Sequence, residues 1–222
     1  MTDCDFCREL EGSPGTRFHA LYAGVADTRI VIETCHFAAL PTLGQLFSGS
    51  MLIIPKEHVE TSARVAPHLR PELGCLLARV VETVRPYGSP VFFEHGALSC
   101  TGGSCGIYHA HIHVMPLPAP VTPRLFLGER ARISNSLEGA LAALSSSEQY
   151  LLFGRNTEVA YSEVDQLDFQ PPSQFFRRAL AKRFHTAVPW DWRLVQDAEP
   201  ELLATLSLFG GGHVPERPGD PR

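Results

Sequence analysis

Tyr108-His109-Ala110-His111-Ile112-His113-Val114-Met115 constrains this chain more than any other stretch. Three histidines alternate strictly with small or apolar residues, and Pro116 closes the run. A strand sends successive side chains to opposite faces, so period two predicts three imidazoles on one face. Ala110, Ile112 and Val114 then point the other way, into a core. On a helix the same residues scatter around the cylinder, and only His109 and His113 remain near neighbours. β-Branched content and the closing proline favour the strand. Packing alone is a poor reason for three imidazoles in a row on an exposed strand face.

At 222 residues, 44% of them hydrophobic, the chain has material for one large domain, or one domain with an appendage. A net charge of −5 with no long basic run gives no electrostatic footprint for nucleic acid. It leaves room for a small phosphate ligand, which needs only local donors. No apolar stretch approaches a membrane span, and Met1-Thr2-Asp3-Cys4 is too polar for a signal peptide. The expectation is therefore no membrane partner and a cytoplasmic, reducing compartment. There the six cysteines are thiols, with Cys4 and Cys7 as metal-ligand candidates.

Cys4-Asp5-Phe6-Cys7 has three readings: half of a metal knuckle, a redox pair, or two unconnected thiols. Phe18–Tyr22 and Arg29–Thr34 read as two strands joined by a hairpin connection over 23–28. Residues 35–50, broken by Pro41, Gly44 and Gly49, read as loop. Met51-Leu52-Ile53-Ile54 is a buried strand, and His58 lies just past its end, where a surface histidine is the plain reading. Leu73, Leu76, Leu77, Val80, Val81 and Val84 give the apolar stripe of a main helix from Pro71 to about Arg85. Pro90–Glu94 is a fourth strand, leading into His95-Gly96.

Thr101-Gly102-Gly103-Ser104-Cys105-Gly106 sits directly upstream of the histidines. It is either a flexible turn or a backbone cradle for an anion. Beyond Met115 an extended linker leads to a short helix over Ser136–Leu144. A hairpin follows, with arms Tyr150–Phe153 and Glu158–Tyr161. Pro172-Ser173 then opens a basic helix, with Ser173 as N-cap. Its arginines either meet water or, at a helix start near a ligand, hold phosphate. Trp190–Arg193 reads as a packed segment, Pro200–Phe209 as a last helix, and 210–222 as a disordered tail.

His109-Ala110-His111-Ile112-His113-Val114-Met115 resembles the motif of the histidine triad (HIT) family, His-φ-His-φ-His-φ-φ. The resemblance extends to Cys4-Asp5-Phe6-Cys7, to Gly49 through His58 and to the glycine loop, and covers roughly residues 1–118. It implies an α+β fold: a bent antiparallel sheet with one long helix, here over 1–118, and a C-terminal helical and hairpin extension over 119–209. It also implies a nucleotide hydrolase or nucleotidyltransferase, with His111 attacking an α-phosphate and His113 holding the non-bridging oxygens. In zinc-bearing members the matching positions are Cys4, Cys7, His58 and His109, two thiolates and two imidazoles in a closed structural Zn2+ set.

Ser104, Cys105, Gly106 and Glu94 fall where family members contact substrate. Ser50, Cys105, Gly106 and Glu94 stand where many members carry His, Gln, Ser and Asn. Gln174, Arg177 or Arg178 are therefore candidates to supply replacement phosphate contacts. The expected partner is a nucleotide or nucleotide conjugate, and a homodimer through the long helix is a family habit. Two other classes compete: a metalloenzyme with the alternating histidines as catalytic ligands, and a nucleotide-binding protein without turnover.

Overall fold

The computed structural model describes residues 4–98 and 107–210. Its elements run α1 (Asp5–Leu10), α2 (Arg17–Tyr22), β1 (Ile32–Glu33), β2 (Phe37–Pro41), β3 (Met51–Pro55), α3 (Arg70–Val84), β4 (Ser89–Ala97) and β5 (Ile112–Leu117). The C-terminal half adds β6 (Arg132–Ser134), α4 (Leu137–Ala143), β7 (Gln149–Arg155), β8 (Glu158–Glu163), α5 (Phe175–Phe184) and α6 (Pro200–Leu208). The described strands form one antiparallel sheet in the order β1-β2-β3-β5-β4-β7-β8-β6. The α+β class is as expected, and the sheet runs unbroken from the histidine-bearing half into the C-terminal half through the β4–β7 pairing.

Period two sorts the strands between two layers. Phe92 on β4, Ile112 and Val114 on β5, and Tyr150 and Leu152 on β7 bury against Leu73, Leu76, Leu77 and Val80 of α3 and Leu141 of α4. The main helix thus forms where its stripe predicted, and that stripe packs on the chain's own sheet. The opposite face carries Phe93, Met115, Leu151 and Phe153, covered by Phe176 and Leu180 of α5. Beside them Leu40, Leu52 and Ile54 pack under Phe6 of α1.

Five local expectations are corrected. Residues 17–22 are a helix: Thr16 Oγ1 accepts from the His19 amide at 3.2 Å, a side-chain N-cap. Phe18 and Tyr22, four apart, stack at 4.9 Å, so the helical period wins over β-propensity. Of the second supposed strand only Ile32–Glu33 pairs. Phe37–Pro41, read as loop, is a strand buried at all five positions. With both faces covered it shows no alternation, and Pro41 sits at its end rather than breaking it.

The histidine run joins the sheet only at Ile112, and Pro116 continues the strand opposite Pro90. Two prolines facing each other leave no N–H without a partner, so neither ends the ladder. Finally, α5 starts at Phe175, with Gln174 at φ 56° before it and no side-chain cap from Ser173. The 136–144 helix (capped by Ser136), the 150–161 hairpin and the last helix form as expected.

The β4–β7 seam is tight. A Cβ on Gly154 would lie 2.1 Å from the Phe92 ring. Gly154→Ala is therefore expected to cost about 1–3 kcal/mol through overpacking, read as a lowered urea midpoint at unchanged slope.

Candidate functional site

His113 pairs across the sheet with Leu52 and with Phe93, so its ring projects to the face away from α3. It stacks on Phe93 at 4.8 Å, with the ring planes 13° apart. Its Nδ1 is buried with no partner among the described residues. Burial, then His111 and Arg177, hold its pKa well below the ordinary imidazole value. His111 precedes the strand and is fixed by its own backbone: its Nδ1 lies 2.7 Å from the His109 carbonyl. A carbonyl only accepts, so Nδ1 carries the proton and Nε2 the lone pair. The rings of His111 and His113 are 5.3 Å apart.

His109 turns a different way. Its Nε2 donates to the Pro55 carbonyl at 2.8 Å, which leaves Nδ1 as the lone-pair nitrogen. That nitrogen lies 3.4 Å from Cys4 Sγ and 3.6 Å from Cys7 Sγ. His58 Nδ1 lies 3.3 Å from Cys7 Sγ. The four ligand atoms fall within 4.8 Å of one another. Zinc bond lengths place sulfur and nitrogen about 3.6 Å apart across a tetrahedron, so the donor set fits a four-coordinate metal. Metal-free, burial and then neighbouring Cys4 push the Cys7 thiol up to about 11.

The triad thus divides. His109 joins the cysteines, with the Phe6 ring 5.6 Å from its own and 5.7 Å from that of His111. His111 and His113 face a cleft whose apolar lining includes Phe6, Leu43, Leu52, Ile107 and Trp192.

The C-terminal half closes that cleft. Gln174 and Arg177 both line it. Arg177 Nε donates to the Trp190 carbonyl and Nη2 to the Gly44 carbonyl, each at 2.7 Å. Gly44 has φ +70°, and a Cβ there would lie 2.9 Å from Arg177 Nη2, so this approach requires glycine. Arg177 Nη1 and Gln174 Oε1 are buried without a partner among the described residues. Such atoms are costly unless something pairs them.

Two predicted contacts lie elsewhere. Arg178 stacks on Trp190 at 3.6 Å and donates to the Ser173 carbonyl, away from the cleft. Glu94 falls on the α3 face by strand alternation, where it accepts from Ser62 and from the Tyr150 hydroxyl. Burial raises its pKa. Ser104, Cys105 and Gly106 lie outside the described residues.

No family model matches the chain. Protein HitA of Neisseria gonorrhoeae is 34% identical over 118 residues, which is 53% of this chain and 99% of that protein. The chain belongs to the HIT family. Protein hit of Bacillus subtilis (strain 168) is 25% identical over 101 residues, 45% of this chain and 68% of that one. Among solved structures, a HIT family member from Bacillus subtilis is 20% identical with TM-score 0.39, covering 51% of this chain and 72% of its own. A Zn-bound histidine triad family protein from Mycobacterium smegmatis is 18% identical with TM-score 0.38, covering 51% and 74%.

Sequence reasoning missed one cleft residue of this HIT protein. His95 is only 8% exposed and lines the same cleft as His111 and His113. The available signal was its period-two spacing from Phe93. Burial, then His111, lowers its pKa to about 4. The unfolded chain binds the proton at about 6.5 and the folded chain only near 4, so unfolding takes up a proton in between. Stability should fall as pH drops from about 6.5 to 4. Urea midpoints across that window should show a shallower slope in His95→Asn.

Proposed function

We propose that this HIT protein cleaves or transfers nucleotides at the α-phosphate through a covalent nucleotidyl-histidine on His111. The observation that carries this reading is the 2.7 Å contact between His111 Nδ1 and the His109 carbonyl. In the neutral ring it makes Nε2 the lone-pair nitrogen, a nucleophile with no proton to remove. Nε2 attacks phosphorus, an N–P bond forms, and the bond from phosphorus to the leaving group breaks with its electron pair. In the second step an acceptor oxygen attacks phosphorus and the N–P bond breaks, restoring the imidazole. Water as acceptor makes the protein a hydrolase; phosphate or a sugar phosphate makes it a transferase.

The other cleft groups suit that charge flow. His113 Nδ1 and Arg177 Nη1, buried and unpartnered among the described residues, are candidates for the phosphate oxygens, which gain charge as the new bond forms. The shelf of Phe6, Leu43, Leu52, Ile107 and Trp192 suits a nucleobase. Residues 1–118 act as the catalytic unit, and 119–209 cover it with Gln174 and Arg177. Cys4, Cys7, His58 and His109 would hold a structural Zn2+. When bound, that ion supplies a fixed link between α1 and the segment carrying His111, and no part of the reaction.

Catalytic metal chemistry on the three histidines has less support, because His109 directs Nδ1 to the cysteines rather than toward His111 and His113. Incubation with a panel of nucleoside phosphoramidates, diphosphates and dinucleotides, read by intact mass, tests the proposal. A mass gain of one nucleoside monophosphate, mapped to His111, supports it. Turnover with no trapped adduct from any substrate, or an adduct elsewhere, sinks it.

A further inference from the structure

His95 sits on β4 two residues beyond Phe93, at the rim of the cleft that His111 and His113 occupy. It is buried, a costly place for an imidazole unless both ring nitrogens are paired. One is paired: the Gln149 side-chain amide lies 2.8 Å from Nε2. Gln149 stands on β7, the strand of the C-terminal half that pairs with β4, opposite Ala97. With the amide nitrogen donating to Nε2, the ring proton resides on Nδ1. That Nδ1 is buried and has no partner among the described residues. His111 is close enough to act on the His95 ring electrostatically. Gln174 Oε1, Arg177 Nη1 and His113 Nδ1 line the same cleft in the same unpartnered condition.

We infer that His95 is a third ligand-contacting imidazole of this cleft, beside His111 and His113, held by Gln149 so that Nδ1 donates a hydrogen bond to the phosphate of the bound nucleotide. The inference rests on the nucleotide reading of the cleft and adds to it a second route, beside Arg177, by which the C-terminal half acts on the phosphate end, here through Gln149. A neutral donor suits this position. It binds phosphate oxygen without placing a second positive charge beside His111, which would lower the nucleophile's electron density as attack begins.

Two isosteres separate the ring nitrogens. Asparagine places its amide nitrogen near the Nδ1 position; glutamine reaches only the Nε2 position. Binding of AMP, GMP, CMP and UMP, and of the four unphosphorylated nucleosides, would be measured by calorimetry on wild type, His95→Asn and His95→Gln. The expected result is a loss of about ten-fold or more in monophosphate affinity for His95→Gln, the size of one hydrogen bond to a charged group. His95→Asn should stay within a few-fold of wild type, and nucleoside affinity should be unchanged in both. Equal monophosphate affinity in wild type and His95→Gln overturns the assignment, as does an equal loss for nucleosides and monophosphates.

If His95→Gln does not fold, Gln149→Leu decides. It leaves the ring in place but unheld, and should weaken monophosphates several-fold while sparing nucleosides; unchanged monophosphate affinity overturns the assignment. Wild-type protein that binds no monophosphate and forms no histidine adduct overturns the nucleotide reading itself, and this inference with it. That outcome is distinct from failure at His95 alone, which leaves wild-type binding and the His111 adduct intact.

Discussion

His111→Ala is expected to abolish the nucleotidyl adduct and to lower turnover by about 10³-fold or more, the scale of deleting a covalent nucleophile. The fold should survive. His111 lies outside the β5 ladder, and its Nδ1 bonds the carbonyl two residues back rather than a neighbouring strand. His113→Ala should behave differently. It removes a stabilising donor and the ring stacked on Phe93, so the adduct should still form, more slowly by about 10²-fold. The contrast separates nucleophile from stabiliser. His111→Gly with added imidazole offers a further check, since a free imidazole in the vacated space can attack phosphorus in place of the side chain. Single-turnover rates for the three variants, with intact mass at each time point, give the comparison. An adduct of wild-type yield on His111→Ala would mean another group carries the phosphoryl transfer.

Legibility in the sequence followed how local each signal was. The α3 stripe, the β7–β8 hairpin and the Ser136 cap were readable because period, turn and cap lie within a few residues. The strand at Phe37–Pro41 was hidden because both its faces are buried, which removes the alternation that marks a strand. The helix at Arg17–Tyr22 was misread because its aromatic residues favour strands in isolation, and its burial against Leu202 and Leu206 comes from the far end of the chain.

The site behaves likewise. The four metal-capable residues could be named from motif positions, yet His109 parting from the other two histidines depends on the Pro55 carbonyl, which no spacing reveals. Glu94 and His95 are neighbours in sequence, and strand alternation sends one to the core under α3 and the other to the cleft. Which of the two faces the cleft is a matter of parity, and parity is fixed only once the register with β5 and β7 is known. Arg177 and Arg178 repeat the lesson on a helix, where a step of one residue turns the side chain by about 100°.

Chelation should produce the largest change in stability. Purified protein is expected to carry about one zinc per chain, and stripping it with a strong chelator should lower the melting temperature by about 10 °C or more. The reasoning runs through chain connectivity. Cys4 directly precedes α1 and Cys7 lies in it, His58 follows β3, and His109 is on the approach to β5, so one ion ties together positions up to 105 residues apart. Loss of such a tie from a domain that keeps its own core costs less than the ~10–16 kcal/mol of an isolated zinc finger. A few kcal/mol is a reasonable share, at about 2–4 °C each for a chain of this size.

Without the ion the Cys7 thiol stays protonated, since burial and then neighbouring Cys4 hold it near 11. The cluster then falls back on weak sulfur–imidazole contacts. The His109 backbone should loosen with it, and that backbone supplies the carbonyl fixing His111. Chelation should therefore lower adduct formation as well as melting temperature, whereas His111→Ala should lower only the first and keep its zinc. Cys7→Ser should reproduce the chelated state at every pH, because serine is a poor zinc ligand beside two imidazoles. If metal analysis finds zinc retained in Cys7→Ser, or chelation leaves the melting temperature unmoved, the four residues are an ordinary buried cluster. The orientation of His111 would then rest on contacts that need no metal, among them the Phe6 ring and the His109 carbonyl.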